Sequence, residues 1–184
     1  MDDKIPFYTM TPDRVIDAVE SQGWLSDYRI LALNSYENRV YQVGVDQSDP
    51  VIAKFYRPGR WSDAQILEEH AFCFELADAD ISVVAPLVNE DKDSLFLFDQ
   101  FRFSLFTRRG GRAPELDDPE HLYQLGVALG QIHAVGAQKP YLERPVLDAQ
   151  SYGWQSRELI LQHHIPANLR PAYESISQEL LTRV

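Results

Sequence analysis

The chain is short of several things, and each shortage excludes something. Its 184 residues include one cysteine, Cys73, so no disulfide can form within it. That fits a reducing compartment, and a cytoplasmic home is the expectation. Lysine and arginine number 17 against 28 acidic residues, a formal net charge of −11. Holding nucleic acid takes cations clustered against phosphates. The one basic cluster, Arg108-Arg109-Gly110-Gly111-Arg112, is too short to reverse the balance. No uninterrupted apolar run is long enough to span a bilayer, which needs roughly 18 residues or more. The acidic opening "MDDKIPFYTM" lacks the apolar stretch of a leader peptide. A soluble, unprocessed protein with neither a membrane nor a nucleic-acid partner is expected. Internal repeats and low-complexity tracts are also lacking.

What is there is a hydrophobic content of 45%, enough for a core and too much for a disordered chain. In "TPDRVIDAVESQG", Thr11 is placed to cap a helix, Pro12 sits at its first position and Gly23 follows its end. Val15, Ile16 and Val19 form its apolar face. Residues 28–33 and 39–45 read as an antiparallel hairpin around a polar loop, Ser35-Tyr36-Glu37-Asn38, that holds no glycine or proline. Residues 51–56 read as a third strand, entered by Pro50 and left by Pro58-Gly59. Ser62 and Asp63 open a helix to about Ala77, with Ile66, Leu67, His70, Phe74 and Ala77 at helical spacing. "ISVVAPLV" reads as a fourth strand, and "SLFLF" with "FRFSLFT" as another hairpin turning near Asp99-Gln100. The order implies an α+β fold: an antiparallel sheet with a helix packed on one face. "RGGRAPELDD" punctuates the chain as a connector, and helices follow at about 118–136, 151–163 and 171–183.

Strand residues alternate faces, so Ile52, Lys54 and Tyr56 share one face of "VIAKFY" while Ala53 and Phe55 share the other. A lysine on such a strand needs an anion or an escape to water. The helix that follows offers Glu68 and Glu69. A protein-kinase fold uses this set: a third-strand lysine on the nucleotide phosphates, and a helix glutamate that orients it.

The stretches "LNSYENRVYQV", "VIAKFYRPGRW", "QILEEHAFCFEL", "FRFSLFTRRGGR" and "LGVALGQIHAVG" together resemble the bacterial stress response kinases. These are Ser/Thr protein kinases within the aminoglycoside phosphotransferase and choline kinase superfamily. The likeness covers nearly all of residues 8–184. "NSYENRVYQ" and "KFYRPGRW" are its distinctive pieces, whereas "LG..LG.IH" is shared more widely. The resemblance implies a protein-kinase-like fold and a phosphotransferase that uses ATP and Mg2+ on a protein substrate. It makes Lys54 the nucleotide lysine. It favours Glu69 over Glu68 as its partner, because Glu69 stands seven residues before Leu76, matching an E-x6-L pattern. It puts Ser35 in the loop over the phosphates and Phe106 beside the nucleotide at the connector. The lobe boundaries it implies are 1–106 for an ATP-binding lobe, 107–116 for a hinge and 117–184 for the start of a helical lobe.

The superfamily's H-G-D-x-H-x-x-N loop and its later D-x-D motif, which supply proton acceptance and the metal ligands, are both absent. No catalytic residue and no metal ligand is therefore assigned within these residues. The resemblance puts the catalytic aspartate and the Mg2+ ligands beyond Val184. The amphipathic pattern at "SISQELLTRV", with Ile176, Leu180 and Leu181, suggests that the chain is the N-terminal part of a longer kinase and inactive alone. A small-molecule kinase of the same superfamily and a non-catalytic module binding nucleotide or a partner are the alternatives. "HHIPAN" reads as the end of one helix and the cap of the next, through Asn168. His133, on the helix with Leu122, Leu125, Leu129 and Ile132, reads as a hydrogen-bonded packing residue. His163 and His164 are adjacent and diverge, so they form no metal pair. Cys73 reads as a small buried residue, and were the chain active alone, a carboxylate such as Asp99 or Asp148 would have to do the catalytic work.

Overall fold

The computed structural model describes residues 7–183. The acidic opening up to Pro6 and the last residue, Val184, lie outside the described residues. The expectation of a catalytic aspartate beyond Val184 therefore falls outside them too. A short 3-10 turn, Phe7–Thr9, leads into α1 (Pro12–Glu20). Thr11 caps α1 by accepting from the Arg14 N–H, and its buried residues are Val15, Ile16, Ala18 and Val19. Five strands follow: β1 (Ser26–Leu33), β2 (Arg39–Val45), β3 (Ser48–Phe55), β4 (Phe96–Phe98) and β5 (Phe101–Thr107). They form one antiparallel sheet in the order β1-β2-β3-β5-β4. Helix α2 (Asp63–Asp78) lies between β3 and β4 in sequence. It starts at a capping box in which Ser62 and Gln65 exchange side-chain-to-backbone bonds.

The two faces of the sheet differ in chemistry. On one, Val43, Val51, Ala53, Phe55, Phe101, Phe103 and Leu105 pack against Met10, Val15, Ala18 and Val19 as the apolar core. Phe55 and Phe103 stack there at 5.2 Å between ring centroids. The opposite face carries Lys54 and Ser104, which are cross-strand partners, and receives α2. The sheet is therefore covered by α1 on one face and by α2 on the other.

The expected strand at "ISVVAPLV" is not one. Pro86 makes a single isolated bridge to Phe106, and the Leu87 N–H donates to the Leu105 carbonyl at 2.7 Å. Proline has no N–H with which to extend a ladder. Beyond the reach of β4, this extended segment covers the outer edge of β5. Nor does Pro50 stand before β3. It lies inside the strand, beside the register shift between Val43 and Val45, and a bulge tolerates a residue without an N–H. Asp99 and Gln100 do form the β4–β5 turn, with Asp99 at φ 52°.

Residues 108–116 hold no helix or strand and lead to α3 (Pro119–Gly136), capped by Asp118. One compact unit runs to Glu143 and a second starts at Arg144. The division falls later than the connector because the segment after α3 bonds back to α2: Glu68 accepts from the N–H groups of Leu142 and Glu143, and Gln65 donates to the Glu143 carbonyl. His133 is exposed on α3 rather than packed. The leucines on the same helix are exposed too, Leu122 at 48% and Leu129 at 55%, so among the described residues no core covers this face.

In the second unit a π-helical turn, Ala149–Trp154, runs into α4 (Gln155–His163), and α5 is Arg170–Thr182. Asp148 caps the turn by accepting from the Ser151 N–H at 2.7 Å. Gly153 packs against the Leu181 side chain, which would have to shift to admit a Cβ there. Arg157 donates to the Ser177 hydroxyl at 2.8 Å and joins α4 to α5. Helix α4 ends near the two histidines, but Asn168 does not cap α5. Leu169 holds that position, with no side-chain cap.

Candidate functional site

Lys54 projects from β3 on the face that α2 covers, and its Nζ donates to Glu69 Oε1 at 2.9 Å. The pair is partly shielded, with side-chain exposures of 23% for Lys54 and 36% for Glu69. The ammonium also lies over the Tyr56 ring, 4.7 Å from its centroid, an attraction between a cation and the negative ring face. Glu68 points elsewhere and takes the backbone N–H groups of Leu142 and Glu143. One step along a helix turns a side chain by about 100°, which is why adjacent glutamates have separate partners.

The β1–β2 loop lies at the same end of the sheet, because Val40, at the start of β2, is the cross-strand partner of Lys54. The Ser35 hydroxyl donates to the Asn38 carbonyl at 2.8 Å and closes the loop on itself. Tyr36 is fully exposed at its tip. The segment after β3 holds this loop from outside. Arg57 to Arg60 is a tight turn closed by the Arg60 N–H on the Arg57 carbonyl, with Gly59 at φ 70°. Proline second and glycine third in such a turn fit a type II geometry. The turn returns Arg60 toward the loop, where its Nε donates to Glu37 Oε1 at 2.9 Å, and the Arg57 N–H donates to Asn38 Oδ1 at 3.3 Å. The two distinctive sequence stretches are thus one contacting unit.

Phe106 stands opposite Ile52 in the β3–β5 ladder, one alternation from the Lys54–Ser104 pair and on the same face. Both are half-buried. The arrangement puts an apolar strip next to a cation and a loop of N–H groups. It brings Lys54 and Glu69 into contact and sets Ser35 and Phe106 on the flanks.

The sequence pattern puts His70 on an apolar helix stripe. It is 1% exposed and bonds through both ring nitrogens: the Tyr56 hydroxyl at 2.8 Å and the Ser104 hydroxyl at 3.4 Å on Nε2, and the Ser94 hydroxyl at 2.8 Å on Nδ1. A histidine at a position periodicity marks as buried was the available signal. Cys73, one turn after Glu69, is partly buried. Burial pushes its thiol pKa up, Glu69 adds to that, and Lys54 opposes it. Asp99 lies 3.9 Å from Arg14 at the β4–β5 turn, away from the Lys54 cluster, and Asp148 caps the π-helical turn of the second unit. Among the described residues, which stop short of Val184, no group of three His, Cys, Asp or Glu side chains could hold a metal ion. Among them, too, no helix is long and apolar enough to cross a membrane.

An antiparallel sheet flanked by helices, with a strand lysine paired to a helix glutamate, is a kinase-like α+β fold, and the comparisons with known proteins agree. The model of the phosphotransferase enzyme family matches residues 29–183, and the chain belongs to that family. It is 35% identical over 179 residues to stress response kinase A of Escherichia coli strain K12, an alignment covering 97% of this chain and 54% of the relative. It is 34% identical over 184 residues to the serine/threonine protein kinase RdoA of Salmonella typhimurium, covering 100% of this chain and 56% of the relative. The chain thus spans about half the length of the curated relatives it matches. Among solved structures, an amicoumacin kinase in complex with AMP-PNP, Ca2+ and Ami superposes with a TM-score of 0.61 at 22% identity, covering 84% of this chain and 48% of that one. A spectinomycin phosphotransferase in complex with ADP and spectinomycin gives 0.59 at 13% identity, covering 84% and 47%. At those identities the likeness is one of fold.

Proposed function

We propose that the chain carries the ATP-binding lobe of a cytoplasmic Ser/Thr protein kinase of the stress response type, with residues 1–106 as that lobe and 107–116 as its hinge. The observation that carries the reading is the 2.9 Å pair between Lys54 on β3 and Glu69 on α2. Lys54 would hold the α- and β-phosphates, and Glu69 would keep its ammonium in place. The backbone N–H groups around Ser35 would meet phosphate oxygens, and Ile52 and Phe106 would line the base. Identity of 34–35% to relatives named as stress response and serine/threonine protein kinases supports a protein substrate over a small molecule.

Among the described residues no group of three His, Cys, Asp or Glu side chains could hold a metal ion, so none of them is proposed as a ligand of the nucleotide's metal. Mg2+ would neutralise charge on the phosphates during transfer. No residue described here is assigned to it or to proton acceptance, and both roles would fall to residues beyond Val184 in a longer chain. The 184-residue chain should therefore bind nucleotide weakly and transfer no phosphate by itself. The test is Lys54→Ala, measured by binding of an ATP analogue with Mg2+ and, in the full-length protein, by phosphotransfer. Affinity and turnover should both fall. Unchanged values would remove Lys54 from the site, and transfer by the 184-residue chain would return a dismissed carboxylate such as Asp99 to consideration.

A further inference from the structure

Two cross-links join β3 to α2. One is the ion pair of Lys54 and Glu69 at 2.9 Å. The other is one residue further along the helix and two along the chain, just past the end of β3, where the Tyr56 hydroxyl meets His70 Nε2 at 2.8 Å. Tyr56, His70, Ser94 and Ser104 are at most 5% exposed, and they form a polar cluster of hydroxyls around one imidazole beneath α2. An apolar side chain of similar volume would fill this space without needing partners. A fully satisfied buried polar network instead fixes geometry, because each member must stay within hydrogen-bond reach of its partners. Here the partners come from three segments: the residue after β3, the chain before β4, and β5. Together they set the rotation and height of α2. Tyr56 also acts directly on the lysine, since its ring lies under the Lys54 ammonium at 4.7 Å.

We infer that Tyr56 and His70 are positioning residues that hold α2 in the register where Glu69 reaches Lys54. The inference rests on the reading of Lys54 and Glu69 as the nucleotide site. Tyr56→Phe is the mildest probe, because it keeps the ring beneath Lys54 and removes only the hydroxyl. It should weaken binding of a fluorescent ATP analogue with Mg2+ by about tenfold, and have almost no effect when Lys54 is already Met, since groups acting through one contact are non-additive. His70→Gln, which keeps polar atoms for its partners, should bind better than His70→Leu. A nucleotide-free cycle comes from urea midpoints of Tyr56→Phe, Glu69→Gln and the double variant, where Tyr56→Phe should shift the midpoint less once Glu69 is Gln. Additive shifts in that cycle would overturn the inference, as would Leu equalling Gln at position 70. If Lys54→Met leaves nucleotide binding unchanged, the nucleotide reading fails while the urea cycle still decides whether the two cross-links are coupled.

Discussion

Arg60 donates through Nε to Glu37 at 2.9 Å, spanning 23 residues of sequence to tie the turn after β3 to the tip of the β1–β2 hairpin. Arg60 also lies over the Trp61 ring, 4.8 Å from its centroid. A loop without glycine lacks that residue's extra backbone freedom. This one is held in place from the side instead.

Arg60→Ala should therefore leave stability nearly unchanged, since an exposed ion pair contributes about 0–1 kcal/mol. It should lower nucleotide affinity by about threefold, because the loop loses its anchor. The loss should shrink at high salt, which already screens the exposed pair. Calorimetric titration at low and high salt, beside a urea melt, separates the two effects. An intact affinity at low salt would show that the loop keeps its place without Arg60.

Glu69→Gln should resemble Lys54→Met in nucleotide binding, and Glu68→Gln should not. Glu68 accepts from the N–H groups of Leu142 at 2.6 Å and Glu143 at 3.0 Å, so its substitution should cost about 1 kcal/mol of stability in the segment after α3. Parallel binding and melting curves for the three variants check this. Damage to binding from Glu68→Gln alone would shift the functional register of α2 by one residue.

Cys73 reports on the ion pair. Burial raises its thiol pKa, the Glu69 charge raises it further, and the Lys54 charge lowers it. The thiolate is the reactive form, so alkylation by iodoacetamide near pH 8 should be slower than for a free thiol. Glu69→Gln should speed it and Lys54→Ala should slow it. Equal rates in all three would mean that Cys73 does not feel the pair.

Acid should loosen the second unit at its π-helical turn. The Ser151 N–H and hydroxyl hold the Asp148 carboxyl below the usual carboxylate range. A depressed carboxylate contributes stability that is present above its unfolded pKa and lost as pH falls through its folded one. Asp148→Asn keeps a capping oxygen but removes the titration, so it should flatten the acid dependence of residues 149–163, read by NMR. An unaltered acid limb would place the pH response elsewhere.

Local chemistry was enough to mark much of this protein. Thr11 and Ser62 announced helix starts because capping is a bond between near neighbours in sequence. The period-2 pattern around Lys54 put Ile52, Lys54 and Tyr56 on one face, because alternation is a property of the strand alone. Order of elements was enough for an antiparallel α+β sheet. Other features depended on residues far apart along the chain. "ISVVAPLV" has strand composition, but β4 and Pro86 together leave it one bridge on β5. The first compact unit reaches past α3 because Glu68 and Gln65 bind residues more than 70 positions away. His133 sits on a helical stripe of leucines, yet no packing partner covers it among the described residues. His70 sits on a similar stripe and is buried in hydroxyls from Tyr56, Ser94 and Ser104. A helical period tells which residues share a side, but what lies against that side is decided by the fold.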